Sequence, residues 1–332
     1  MSWFNPGFKF YGSNTSSVNG LLSSQLLARL QQLQLLAKRR SRSNTRGERR
    51  SRARGQSVEF ADHRNYSPGD DLRYLDWNLY GRLDRLFLKL YEEERELPVL
   101  LLLDASQSMD FGEPTKFHFA KQIVAALGFV ALNGFDHVRV ALFPSIGERG
   151  DIWNVNEETS LHELKQQQMA EAGLTSVRGK RSVQDFLDRL SRLKPGERGG
   201  MNEALRTVAF ASKRVGMAIV VSDFLDTGGY EDGLGSLIAR GFQVTAIQVL
   251  AQEEWSPNTF GDLKVVDSET GVEEEVSFGP HRLKAYQASV RGFVERVSAF
   301  CVKRNIRFFS TTSDSSLDKL LLEQLRASEV VG

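Results

Sequence analysis

The run Leu97-Pro98-Val99-Leu100-Leu101-Leu102-Leu103-Asp104 constrains the fold more than any other stretch of this chain. Its apolar residues fall at odd and even positions alike, so a strand built from it must be covered on both faces. That is the pattern of a central strand in a parallel sheet. A second run, MAIVVSD at 217–223, repeats it and also ends on an acid. Helical periodicity lies between and beyond them. Residues 115–133 read as a helix with Thr115 as N-cap, a stripe of Phe117, Ala120, Val124, Leu127 and Ala131, and Gly134 as the stop. VRVALF (138–143) is the next strand, and 157–194 read as two helical stretches separated by Gly173 and Gly179. Helices are expected over 204–214 and 231–240, a strand over 242–250 and a hairpin from 263–267 and 273–278 around Thr270-Gly271. A long helix (281–304), a strand (306–311) and a last helix (315–326) complete the series. Strand alternating with helix predicts an α/β fold, Rossmann-like, with a mostly parallel sheet and helices on both faces.

The first hundred residues differ in character. Residues 21–37 predict a helix with Leu22, Leu26, Leu30 and Leu33 on one face, which packs on its own domain or docks on a membrane or partner. Residues 57–96 read as short strands and turns, with SPGDD (67–71) as the turn and LFLKLYE (86–92) as a half-exposed strand. The expected division is an N-terminal helix and basic arm over 1–55, a small β-rich extension over 56–96, and the α/β domain over 97–326.

Charge is segregated along the chain. Its 332 residues balance to a net +1, yet residues 38–54 hold nine Lys or Arg and one acid, Glu48, while 55–332 hold 32 basic and 41 acidic residues. A basic run displaces counterions from phosphate and so suits nucleic acid or anionic lipid. No aromatic residue is interleaved to stack on bases, and the acidic body repels phosphate, so a solvated or self-docked arm is the favoured reading and nucleic acid an unfavoured one. The single cysteine, Cys301, excludes an intramolecular disulfide and suits a reducing compartment. No apolar run approaches membrane-spanning length, and the first residues lack the pattern of a secretory signal. A cytoplasmic protein is expected, with peripheral membrane contact left open.

Chemistry concentrates where the two apolar strands end. In open α/β sheets, ligands bind beyond the carboxyl ends of strands where strand order reverses. Asp104 opens the sequence Asp104-Ala105-Ser106-Gln107-Ser108, and Asp223 ends the second run. Carboxylate and hydroxyl oxygens at alternate positions suit a small hard cation. The competing reading is that Asp104, Ser106 and Ser108 order their loop by hydrogen bonds and cap the next helix. A third is a metal-dependent phosphohydrolase with Asp104 as nucleophile. The five histidines have no metal-ligand spacing, and no phosphate-binding Gly-x-x-x-x-Gly-Lys-Ser/Thr loop occurs. The mixture of Asp, Arg, Trp77 and Tyr80 over 60–96 fits a salt-bridged surface or a docking face.

The Asp-x-Ser-x-Ser sequence after an apolar strand resembles the first loop of the metal-ion-dependent adhesion site in von Willebrand factor A-like domains. The stretch FADHRNYSPGDDLRYLDWNLYGRLDRLFLKLYEEERELPVLLLLDASQSM (60–109), continued by RGGMNEAL (198–205), VVSDFLD (220–226) and DLKVVDSETGVEEEV (262–276), is similar to the bacterial family catalogued as domain of unknown function number fifty-eight. The resemblance covers roughly residues 20–326. It implies a von Willebrand factor A-like fold and a non-enzymatic role as adaptor or assembly factor for a MoxR-type AAA+ ATPase, with other von Willebrand factor A-like proteins as further partners. It also implies a Mg²⁺ site made by Asp104, Ser106, Ser108 and Asp223. The second loop of such sites contributes a Thr, commonly in Gly-Gly-Thr-Asp; here the stretch is Gly199-Gly200-Met201-Asn202. Methionine offers a soft thioether, a poor ligand for magnesium, so Asn202 is the expected substitute.

Overall fold

The computed structural model describes residues 21–36, 58–93, 97–144, 173–196, 199–212, 214–257, 261–266, 273–328 and 330–332. The basic run 38–54, the first of the two helical stretches expected within 157–194, and the turn at Thr270-Gly271 lie outside the described residues. By contacts the chain divides into two compact units, one of residues 1–38 with 97–332 and one of residues 39–96. The expected N-terminal segment 1–55 is therefore split between them.

Helix α1 (Ser24–Leu30) explains the split. Ser23 caps it by accepting a hydrogen bond from the Leu26 N–H at 3.2 Å. Leu22, Leu26 and Leu30 are buried in the same apolar cluster as the large helix of the α/β unit. The helix is shorter than its leucine spacing suggests. After Leu30 the chain turns; Gln34 exchanges two backbone hydrogen bonds with Gly332, and the Leu36 N–H donates to the Val330 carbonyl. The stripe expected either to pack at home or to dock elsewhere is used on the chain's own core.

In the smaller unit, β1 (Val58–Asn65) pairs antiparallel with β2 (Phe87–Glu93). Between them comes α2 (Trp77–Leu83), capped by Asp76, whose Oδ1 accepts from the Asn78 and Leu79 N–H groups at 3.0 and 3.1 Å. Sequence periodicity suggested only strands and turns there, because two helical turns are too short to show a period. Side-chain pairs bind this unit locally: Arg64 forks onto both oxygens of Asp70 at 2.9 and 2.7 Å, and the His63 ring hydrogen-bonds with Asp76 at 2.9 Å.

The larger unit is built on a six-stranded sheet of order β10-β7-β6-β3-β4-β5. Its strands are β3 (Pro98–Asp104), β4 (His137–Phe143), β5 (Gly173–Arg178), β6 (Met217–Ser222), β7 (Gln243–Leu250) and β10 (Arg307–Thr312). All neighbours are parallel except β5, which runs antiparallel to β4 at the edge. Residues 173–178 were expected to separate two helices; instead the β-branched Thr175 and Val177 lie in an edge strand that satisfies the open side of β4. A hairpin of β8 (Gly261–Val266) and β9 (Glu273–Phe278) stands apart from this sheet, as expected from its sequence.

The helices are α3 (Lys116–Asn133), α4 (Val183–Ser191), α5 (Met201–Ala211), α6 (Glu231–Ala239), α7 (Gln252–Trp255) and α8 (Pro280–Lys303). Two apolar cores lie on opposite faces of the sheet. Val99, Leu101 and Leu103 of β3 join the core with α1, α3 and α4, while Leu100 and Leu102 join the core with α5, α6 and residues of α8. This double coverage is why β3 is apolar at every position before Asp104. Thr115 caps α3, its Oγ1 accepting from the His118 N–H at 3.2 Å, and Gly134 ends the helix. The fold is α/β with a mostly parallel sheet flanked by helices.

Candidate functional site

Strand order places the site. From β3 the chain moves to β4 on one side and later returns to β6 on the other, so the order reverses between β3 and β6. Loops leaving these two adjacent strands diverge and leave a crevice at their carboxyl ends. Asp104 ends β3 and Asp223 follows β6 directly. The cleft is lined by Asp104, Ser106, Ser108, Asp223 and Asp226, with Phe143, Pro144, Gly199 and Met201. Its cavity volume is about 10 Å³, room for one water-sized sphere.

Asp104 is 5% exposed. Its Oδ1 accepts from the Ser106 N–H at 2.9 Å and its Oδ2 from the hydroxyl of Ser222. Burial, and then the negative charge of Asp223, pushes its carboxyl up to about 7, against the pull of the Ser222 and Ser106 hydrogen bonds. Ser106 and Ser108 bring their hydroxyls within 3.0 Å of each other, and Ser108 donates to Asp223 Oδ2 at 2.8 Å. Asp223 Oδ1 accepts the Leu225 N–H at 3.0 Å, across a turn in which Phe224 adopts the left-handed φ of 62°. That turn is strained for a residue with a Cβ. The buried Phe224 ring, edge-on to Tyr230 at 5.7 Å, holds it.

The charge partner of Asp223 lies inside the protein. Lys116, the first residue of α3, has no exposed side-chain surface. Its Nζ donates to Asp223 Oδ2 at 2.8 Å and to Glu254 Oε1 of α7 at 2.6 Å. Burial works to lower its pKa, but the two carboxylates outweigh burial and the net direction is upward. Glu254 also accepts the Ala251 N–H at 2.8 Å, and Gln248 of β7 donates to the Asp223 carbonyl at 3.1 Å. The polar network thus joins α3, β6, β7 and α7 beneath the cleft.

Four of the five expected ligands come together: Asp104, Ser106, Ser108 and Asp223. Asn202 does not join them. Its Oδ1 accepts the Gly233 N–H at 2.7 Å and its Nδ2 donates to the Gly228 carbonyl at 2.7 Å, so its amide ties α5 to α6. Met201 lines the cleft, and its N–H donates to Asp226 Oδ2 at 2.6 Å. Among the described residues no three His, Cys, Asp or Glu side chains stand close enough to hold a metal ion. What the cleft offers a cation is two serine hydroxyls already hydrogen-bonded to each other and, through Ser108, to Asp223, and two carboxylates whose oxygens all accept hydrogen bonds, a poor match to the near-octahedral oxygen shell that Mg²⁺ demands. Both oxygens of Asp104 and of Asp223 already carry donors, Met201 presents only a thioether to the cleft, and Asn202 is held elsewhere.

Lys116, Glu254 and Ser222 were not singled out from sequence. Ser222 was visible as the residue before a strand-terminal acid, and Lys116 as a cation at a helix start, where it opposes the helix dipole. Glu254 had no signal. Two exposed apolar side chains adjoin the network: Phe111, 49% exposed, whose carbonyl accepts the Lys116 N–H at 2.9 Å, and Leu225, 43% exposed.

An α/β chain with a hydroxyl- and carboxylate-lined cleft at its strand-order reversal is the class of protein so defined. The chain belongs to the family described as Protein of unknown function DUF58, whose model matches residues 62–149 and 154–292. It is similar to an uncharacterized protein of Mycobacterium bovis, 26% identical over 261 residues, covering 77% of this chain and 75% of that one. An uncharacterized protein of Mycobacterium avium is 36% identical over 80 residues, covering 24% of this chain and 47% of the relative. Among solved structures, the conserved hypothetical protein BatB from Bacteroides thetaiotaomicron aligns at 13% identity with a TM-score of 0.39, covering 70% of this chain and 98% of that one. An aerotolerance-related membrane protein from Bacteroides fragilis aligns at 14% identity with a TM-score of 0.38 over the same shares. No helix among the described residues is long and apolar enough to cross a membrane.

Proposed function

We propose that this chain is a non-enzymatic protein-interaction module with a von Willebrand factor A-like fold, and that it engages a MoxR-type AAA+ ATPase through an adhesion-type cleft. The observation that carries the reading is the convergence of Asp104, Ser106, Ser108 and Asp223 at the strand-order reversal, beside exposed Phe111 and Leu225. A small polar centre beside aromatic and aliphatic side chains is suited to binding a protein surface, where a few buried anchors supply most of the affinity. Asp104 is 5% exposed and both its oxygens accept hydrogen bonds, from the Ser106 N–H and the Ser222 hydroxyl, which disfavours it as a nucleophile. Phosphohydrolase activity is therefore the weaker reading, and a phosphatase screen with added Mg²⁺ or Mn²⁺ is expected to stay flat. We place the protein in the cytoplasm.

Calorimetry with a purified MoxR-type ATPase from the same organism tests the partner. Phe111→Asp and Leu225→Asp are each expected to weaken binding by about tenfold or more, as loss of an interface anchor does. Circular dichroism should be unchanged. Binding that neither substitution alters would remove the cleft from the interface.

A second face has its own support. No residue of α2 is buried, and Trp77, edge-on to Tyr80 at 6.2 Å, is 65% exposed. If the ATPase uses this face, Trp77→Ala weakens binding and the cleft substitutions do not.

A further inference from the structure

A buried ammonium is costly unless carboxylates compensate it at short range, and removing its partner leaves an uncompensated charge. Lys116 meets that condition at the cleft. Its ammonium lies 2.8 Å from Asp223 Oδ2, and that same oxygen accepts the hydroxyl of Ser108 at 2.8 Å. Ser108 in turn meets Ser106 Oγ at 3.0 Å. The contacts run without a break from a positive charge inside the protein to the two hydroxyls of the Asp-x-Ser-x-Ser loop. These are the groups that a divalent cation would otherwise have to neutralise and order.

We infer that Lys116 stands in for the divalent cation: its ammonium is the fixed positive charge that holds Asp223 and, through it, the Ser106–Ser108 loop, so the cleft works without a metal. Three further observations agree. Lys116 is fully buried and does not line the cleft, so it approaches Asp223 from the protein side and leaves the cleft open. Met201 places a thioether in the cleft where the resemblance expects a hydroxyl, and the amide of Asn202 is spent on Gly233 and Gly228. Glu254, anchored by the Ala251 N–H, fixes the ammonium from its other side, so a tethered lysine keeps one position. A partner carboxylate, which a cation in the cleft would accept, finds no Lys or Arg among the described residues that line it.

This inference deepens the reading of the same cleft, but its test needs no partner, so the two fail separately. Mn²⁺ is titrated into the full chain and followed by electron paramagnetic resonance, with Mg²⁺ followed by calorimetry. Wild type is expected to show no saturable binding at millimolar metal and the same Tm in Mg²⁺ as in EDTA. One-site Mn²⁺ binding that disappears in Ser106→Ala/Ser108→Ala would overturn the inference. Lys116→Met, which removes the charge but keeps much of the bulk, is expected to melt several degrees lower in EDTA and to be partly restored by Mg²⁺. A wild-type Tm for Lys116→Met in EDTA would equally overturn it. The wild-type titration decides the matter even if Lys116→Met does not fold under either condition.

Discussion

At the scale of single residues, Asp104 and Lys116 divide the chemistry of the cleft. Asp104 was legible because an acid ends an apolar run and two serines follow at alternate positions. Lys116 was not, since a lysine in a first helical turn ordinarily reaches solvent; only packing shows that it has none to reach. The same packing governs pH dependence. The folded-state value of Asp104, about 7, lies above its ordinary 3.8, so the folded chain binds this proton more tightly than the unfolded chain. Stability attributable to the group is therefore greatest at low pH and falls as pH rises between those two values. Asp104→Asn keeps the shape and removes the titration. Urea midpoints measured in EDTA should show wild type losing stability relative to Asp104→Asn across that window, by a few kcal/mol in order of magnitude. Parallel pH profiles for the two proteins would mean that Asp104 is not held in this environment.

At the scale of elements, α3 shows which features local sequence carries. Its cap at Thr115, its apolar stripe and its stop at Gly134 were all legible, because capping and periodicity are local physics. The role of Gly128 was not. A Cβ built there would lie 2.3 Å from the ring of Phe186 on α4, so glycine is what lets the two helices approach. Gly→Ala inside a helix normally gains about 1 kcal/mol. Here overpacking, which costs about 1–3 kcal/mol, is expected to win, so Gly128→Ala lowers the denaturation midpoint and Phe186→Leu in the same chain restores part of it. A higher midpoint for Gly128→Ala alone would show that the helices separate freely. Strand β5 teaches the converse: the five residues between Gly173 and Gly179 carry no decisive periodicity, and the free edge of β4 settles their conformation. In α1, leucines continue past Leu30, but the pairing of Gln34 and Leu36 with the C-terminal residues ends the helix first.

At the scale of the whole molecule, residues 34–36 pair with 330–332, and Leu22, Leu26 and Leu30 lie in the core with α3. The N-terminal helix is thus part of the α/β unit, so Leu30→Ala should act as a core substitution, with a loss of about 2–5 kcal/mol in denaturant titration. A loss under about 0.5 kcal/mol, the range of surface positions, would mean that α1 does not pack there. The alternation of strand and helix outside α2 and β5, the doubly covered central strands and the two acidic strand ends follow from the sequence by itself, because periodicity, capping and apolar runs act over a few residues. Tertiary structure alone decided that β3 and β6 are neighbours, that Asn202 is tied to α6 rather than turned into the cleft, and that Lys116, held also by Glu254, meets Asp223 from within. Those outcomes depend on contacts between residues far apart in sequence, more than a hundred positions for β3 with β6 and for Lys116 with Asp223, and such contacts are not a property of any local stretch of chain.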